Sequence, residues 1–244
     1  MKLHLTCTGR LLACVLALLP TSVLAATLYS NDFDGNFVLD TGVDLNAATN
    51  GALETAAPGF GGWSGNYFVN RRAGNPADPT VLSFSNLGTH SNVSISFLLG
   101  FLEGWKSRDA GPGIGPDNLD IIIDGVQIAR LTANNSAGTI NDFAGGTLLF
   151  DHAQINNNMR FADTLVDMST SRALTFAHSA STLEVTIRAS GAGWTGGANE
   201  GWGVDAVNIA YDRMTPTSVP EPAGLLLTAL ALTAIAALRR VAWC

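Results

Sequence analysis

Three aspartates stand where oxygen chemistry could gather. Asn31-Asp32-Phe33-Asp34-Gly35 crowds hard oxygen donors at the end of an apolar-alternating stretch, and Asp205 lies near the other end of the chain. Asp205 shares parity with Val207, Ile209 and Tyr211, the expected inward face of a strand. A lone buried carboxylate is costly without a partner or a cation. If the first and last strands are neighbours, Asp205 meets Asp32 or Asp34. The expected cofactor is then Ca2+, which takes six to eight oxygens at about 2.3–2.6 Å. The alternative is a carboxylate that caps a loop through backbone N–H groups.

Four tryptophans, Trp63, Trp105, Trp194 and Trp202, lie beside glycines. Trp63, Trp105 and Trp194 are expected as flat, exposed platforms for sugar rings; the alternative is that Trp202 and Trp63 plug the ends of a sandwich, the expected role of Trp202. Arg71-Arg72 could steer an acidic polysaccharide.

No metalloprotease helix, nucleophile elbow, phosphate loop or dinucleotide glycine pattern occurs. His90, His152 and His178 lack the spacing of zinc ligands. No carboxylate pair stands out as glycosidase-like. The chain is therefore expected not to be an enzyme, with no catalytic residue assigned.

The elements that would position these residues read as β. Val93, Ile95 and Phe97 alternate with serines, and Leu183, Val185 and Ile187 alternate with Glu184, Thr186 and Arg188. Period two with one wet face is the pattern of an antiparallel sandwich. Asp124-Gly125 between two apolar runs reads as a tight hairpin turn. Ten strands are expected, at 27–33, 63–70, 80–87, 92–101, 118–123, 126–133, 147–150, 172–178, 183–189 and 204–211, with no helix of more than two turns before residue 219. The fold class is all-β, a two-sheet antiparallel jelly-roll sandwich over residues 26–213.

The ends differ from this middle. The chain of 244 residues carries a net charge of −7. Setting aside 1–25 and 219–244 removes Lys2, Arg10, Arg239, Arg240 and Glu221, which leaves nine basic residues against nineteen acidic ones. That excess argues against nucleic acid. All three cysteines (Cys7, Cys14, Cys244) fall in the ends, so the middle has no thiolate chemistry. Residues 1–25 read as a signal peptide: Lys2 and Arg10, the apolar run Leu11–Leu19, then a cut after Ala25. Residues 214–219 form a linker rich in Pro, Ser and Thr. Pro220-Glu221-Pro222 leads into the uncharged stretch Ala223–Leu238, an expected transmembrane helix of roughly 24 Å, followed by Arg239-Arg240 on the cytoplasmic side.

Tripeptide, apolar helix and basic stop in that order resemble the PEP-CTERM sorting signal, over residues 220–244. The resemblance implies processing by a membrane protease-transpeptidase, exosortase, and a setting in exopolysaccharide- and biofilm-forming bacteria. The tail Val241–Cys244 departs from members that end in the basic cluster. A second resemblance covers Asn118-Leu119-Asp120-Ile121, Asp124-Gly125 and Glu200–Val207. It is similar to extracellular jelly-roll modules of the concanavalin-like and galactose-binding-like type, which bind glycans or calcium or act as spacers. The combined expectation is an exported protein, anchored in the inner membrane with its domain outward and then released to the cell surface or matrix. Its partners would be exosortase, the membrane and polysaccharide. The alternatives are a secreted polysaccharide-active hydrolase and a purely structural matrix spacer.

Overall fold

In the computed structural model the described residues are 22–48, 50–156 and 162–215. The first 21 residues of the expected signal peptide, the linker from 216 onward and the whole sorting signal, including helix 223–238, lie outside them. Among the described residues no helix is long and apolar enough to cross a membrane.

Among the described residues there are fourteen strands: β1 (Ser22–Asn31), β2 (Phe37–Leu39), β3 (Asp44–Ala48), β4 (Ala52–Thr55), β5 (Asn66–Asn70), β6 (Thr80–Ser85), β7 (His90–Glu103), β8 (Asn118–Ile123), β9 (Val126–Leu131), β10 (Thr147–Ala153), β11 (Asp163–Asp167), β12 (Thr175–Ala177), β13 (Thr182–Ser190) and β14 (Glu200–Thr215). Two single 3-10 turns, Met168–Thr170 and Arg172–Leu174, are the helical elements among the described residues. The smaller sheet has the order β3-β6-β13-β8-β9. The larger runs β10-β11-β7-β14-β1-β2, with β12 on β7 and the pair β4-β5 on β14. First and last strands are neighbours, as expected.

The alternating residues of the sequence make the core. Val93, Ile95, Phe97, Leu99 and Phe101 of β7 face Leu119, Ile121, Leu183 and Val185 from the smaller sheet. Burial of each such side chain contributes about 1.5–3 kcal/mol. The β8–β9 hairpin turns at Asp124-Gly125, with φ of 48° and 79°, the left-handed pair that a two-residue turn of this kind requires.

Several elements depart from the sequence pattern. β2, β3, β4 and β11 have no counterpart among the expected strands. Asp44–Ala48 and Ala52–Thr55 are too polar or too alanine-rich to show a period. Four consecutive residues of β11 are buried, so its run has no alternation to read. Trp63 lies before β5 instead of in it, and 172–178 begins with a 3-10 turn before β12. A cut after Ala25 trims β1 to 26–31 and leaves its pairing with β2, Tyr29 to Leu39 through Asn31 to Phe37.

A second apolar cluster covers the outside of the larger sheet: Trp63, Tyr67, Val69, Leu102, Ile155 and Leu165. Two cross-strand glycines, Gly100 and Gly203, form its floor. A Cβ on Gly100 would come within 2.9 Å of the Trp63 ring, and one on Gly203 within 2.8 Å of Tyr67. Glycine in a strand interior here marks the close approach of a ring to the backbone.

Candidate functional site

The outer face of the smaller sheet stays open and polar. Cross-strand register puts Asn46, Ser83 and Glu184 in one row and Asp44, Ser85 and Thr182 in the next. The rows are about 6–7 Å apart, two residues along a strand. Asn46, Ser83, Ser85, Asp124, Thr182 and Glu184 line a shallow groove of about 300 Å³, the low end of small-ligand sites (about 300–1,000 Å³). Among the described residues the side chains of Asn46, Ser83, Ser85 and Thr182 make no hydrogen bond within the chain. They leave amide and hydroxyl groups free for a ligand's hydroxyls.

Asp124 is held in place from beneath. Its Oδ1 accepts from Glu184 N at 2.8 Å and its Oδ2 meets His178 Nε2 at 3.1 Å. His178 Nδ1 lies 2.7 Å from His90 Nε2, and His90 Nδ1 lies 2.6 Å from the Gly88 carbonyl. The rings stack at 5.0 Å. A carbonyl and a carboxylate can only accept, so His90 Nδ1 and His178 Nε2 are the donors of these two outer contacts. Eighty-eight residues separate these histidines, and no sequence spacing signals the contact.

Asp34 and Asp205 both accept from the backbone of residues 64–66, by a route different from the expected one, while Asp32 is bonded within its own turn. β14 pairs with β5 through Trp202–Val204 and with β1 beyond, and a bulge between Asp205 and Asn208 marks the exchange. Ala206 there has φ of 49°. The bulge breaks the parity. Asp205 sits opposite Leu98, toward the outer cluster, while Val207, Ile209 and Tyr211 face the core. Asp205 is 2% exposed. It accepts from Ala206 N at 2.6 Å and weakly from Ser64 N at 3.4 Å. Burial first, opposed by those N–H groups and reinforced by the charges of Asp34 and Asp32, pushes its carboxyl up to about 6. Asp34 accepts from Asn66 N at 2.8 Å, and Asp32 from Asn36 and the N–H of Asp34. The carboxylates feel one another, yet no group of three His, Cys, Asp or Glu among the described residues forms a ready metal cage. The donor set is hard and anionic, the kind calcium takes.

The tryptophans expected as exposed platforms are interior. Trp63, Trp105 and Trp194 are 0%, 0% and 6% exposed. Their indole N–H groups donate to the carbonyls of Ile155 (3.2 Å), Gly201 (2.6 Å) and Arg72 (3.1 Å). Trp105 packs on Trp194 at 5.3 Å and closes one end of the sandwich. Trp202 is buried there too, as expected of a plug. Arg71 is turned to Glu54, with two contacts of 3.0 Å.

Lys106, the body's one lysine, is bound beside that end by Glu200 and, at 3.5 Å, by Asp117. Burial, then the Glu200 charge, pushes Asp117 up to about 7 against the pull of Lys106. Among the described residues its Oδ1 has no hydrogen-bond partner. Under the outer cluster, burial likewise pushes Asp163 up to about 7, although the N–H groups of Glu103, Ile155 and Asn156 all donate to it.

No protein-family profile matches this chain, and no curated protein matches it. Among solved structures it is similar to a family 35 carbohydrate-binding module from an environmental isolate, at 14% identity, over 74% of this chain and 96% of the other, with a TM-score of 0.33. It is also similar to a carbohydrate-binding module specific for non-crystalline cellulose, CBM28, at 14% identity over 77% and 94%, with a TM-score of 0.24. Scores this low carry no argument about ligands, and the two-sheet architecture rests on the strand pairing itself.

Proposed function

We propose that this chain is an exported envelope protein whose β-sandwich associates with polysaccharide through the outer face of its smaller sheet. The observation that carries the reading is the groove of Asn46, Ser83, Ser85 and Thr182, whose side-chain hydrogen-bonding groups are uncommitted among the described residues. Asp124 and Glu184 make it anionic, which favours neutral over acidic glycans. Export, tethering by residues 223–238 and exosortase release are supported by the motif order at the two ends. Asp32, Asp34 and Asp205 would hold Ca2+ at the junction of β1, β5 and β14, a structural ion that ties first strand to last.

Affinity electrophoresis of the full chain through gels carrying neutral polysaccharides tests the binding. Retardation that Asn46→Ala with Ser83→Ala removes supports it; free migration in every gel ends it. Release of reducing ends that Glu184→Gln abolishes would replace binding with hydrolysis. Mass spectrometry of the surface protein tests the sorting: peptides containing Leu238 from outside the cell would end the processing claim.

A further inference from the structure

A different site lies between the sheets. A slot of about 280 Å³ enters the core from the side where β2 and β3, the edge strands of the two sheets, stand. Register gives its shape. On the smaller sheet the lining runs from Thr80, opposite Ile187, past Leu82, opposite Ala47, to Leu45, opposite Phe84. Four residues of strand span about 13 Å, so the slot averages about 20 Å² in section. At about 30 Å³ for a water-sized group, it holds about nine methylenes in single file.

Its walls are aliphatic and aromatic side chains, among them Phe97, Val204 and Val207 of the larger sheet. Interiors are ordinarily filled to crystal density, and dry apolar cavities take up apolar guests. Phe37, 55% exposed, and the exposed Ala47 stand at the open side. Polar groups among the lining include Tyr29 and Asn31. The Tyr29 hydroxyl accepts from Asn31 Nδ2 at 3.2 Å and, among the described residues, donates to nothing. Burial raises its pKa, so it stays a neutral donor. No Lys, Arg or His stands among the residues that line the slot, so an anionic head group would lie there without a counter-charge.

We infer that this slot binds one unbranched aliphatic chain of about nine carbons carrying an uncharged oxygen head group. The chain lies along the strands between the sheets, and the head accepts a hydrogen bond from Tyr29. The site is separate from the polar groove and independent of it.

Calorimetry of the full chain with 1-nonanol, kept below its solubility limit, tests the inference. Saturable one-to-one binding is expected. Ala47→Trp, which plugs the open side at an exposed position, should weaken it at least tenfold with the melting midpoint unchanged. Tyr29→Phe, which keeps the ring, should weaken it about tenfold. Decanoate should bind at least tenfold more weakly than nonanol. No saturable heat with nonanol, or binding undiminished by Ala47→Trp, overturns the site. Decanoate binding as tight as nonanol, or full affinity in Tyr29→Phe, overturns the head-group assignment.

Discussion

The outer faces of the two sheets have opposite fates. On the larger sheet, Gly100 and Gly203 strip side chains from the floor and let Trp63 and Tyr67 lie on the backbone. Ile155 and Leu165 then complete a second core there. On the smaller sheet, the same outward parity carries Asn46, Ser83, Glu184 and Thr182, and among the described residues nothing covers the groove they line. At its far end Asp120 is instead closed over by Arg130, at 2.7 and 3.0 Å. The contrast teaches that aromatic side chains seal the outer face of the larger sheet, and that the outer face without them stays polar and open.

Breaking the sealed face should cost most. Trp63→Ala removes the centre of the outer cluster and should destabilise the body by about 3–5 kcal/mol, read from the urea midpoint. Next comes the junction at the margin of that face. If Asp32, Asp34 and Asp205 hold calcium in the folded state alone, a hundredfold excess over Kd adds about 2.7 kcal/mol. Melting with calcium and with a chelator checks this, and Asp205→Asn should shrink the difference; equal midpoints would remove the ion from the account.

Gly203→Ala places a methyl against Tyr67 and should cost about 1–3 kcal/mol by chemical denaturation, without altering glycan retardation.

The buried acids give a smaller, pH-dependent effect. Asp117 and Asp163 sit near 7 in the folded state against 3.8 ordinarily. Between those values the folded chain holds protons that the unfolded chain has released. Their contribution is therefore complete below about pH 4 and falls as pH rises toward about 7. Each sets an upper bound of about 1.4 kcal/mol per pH unit, or about 3–6 °C for a domain of this size. Glu54, drawn below the usual carboxylate range by Arg71 against its burial, acts with the opposite sign. Comparing pH 5 with pH 7 should show a fall in melting midpoint that Asp117→Asn flattens. The smallest effect belongs to the open face. Ser83→Ala should change stability by less than about 0.5 kcal/mol, while glycan retardation weakens.

Much of the scaffold is legible because burial on one face imposes period two. β7 and β13 show it directly, and Asp124-Gly125 between two apolar runs advertises its turn by a need for positive φ. The site is far less legible. Trp63, Trp105 and Trp194 sit among glycines, a setting that suggests exposed loops. The glycines serve instead to admit the rings or to turn the chain around them. Parity counting points Asp205 inward because it has no means of detecting a bulge; one extra residue at Ala206 reverses the face. The groove residues give no signal, since serine, threonine and asparagine on a wet face look alike whether or not they line a concavity.

By itself, then, the sequence determined those features that local spacing dictates: an all-β body, the hairpin, the nearness of charge in Asn31–Asp34 and the ordered motifs of the two ends. Tertiary structure alone decided which side chains meet. The His90–His178 contact, the approach of Asp34 to Asp205, the sealing of one outer face and the slot between the edge strands all join residues distant in the chain. Such encounters depend on strand order and register, which are set by the packing of the whole core and by no single stretch of it.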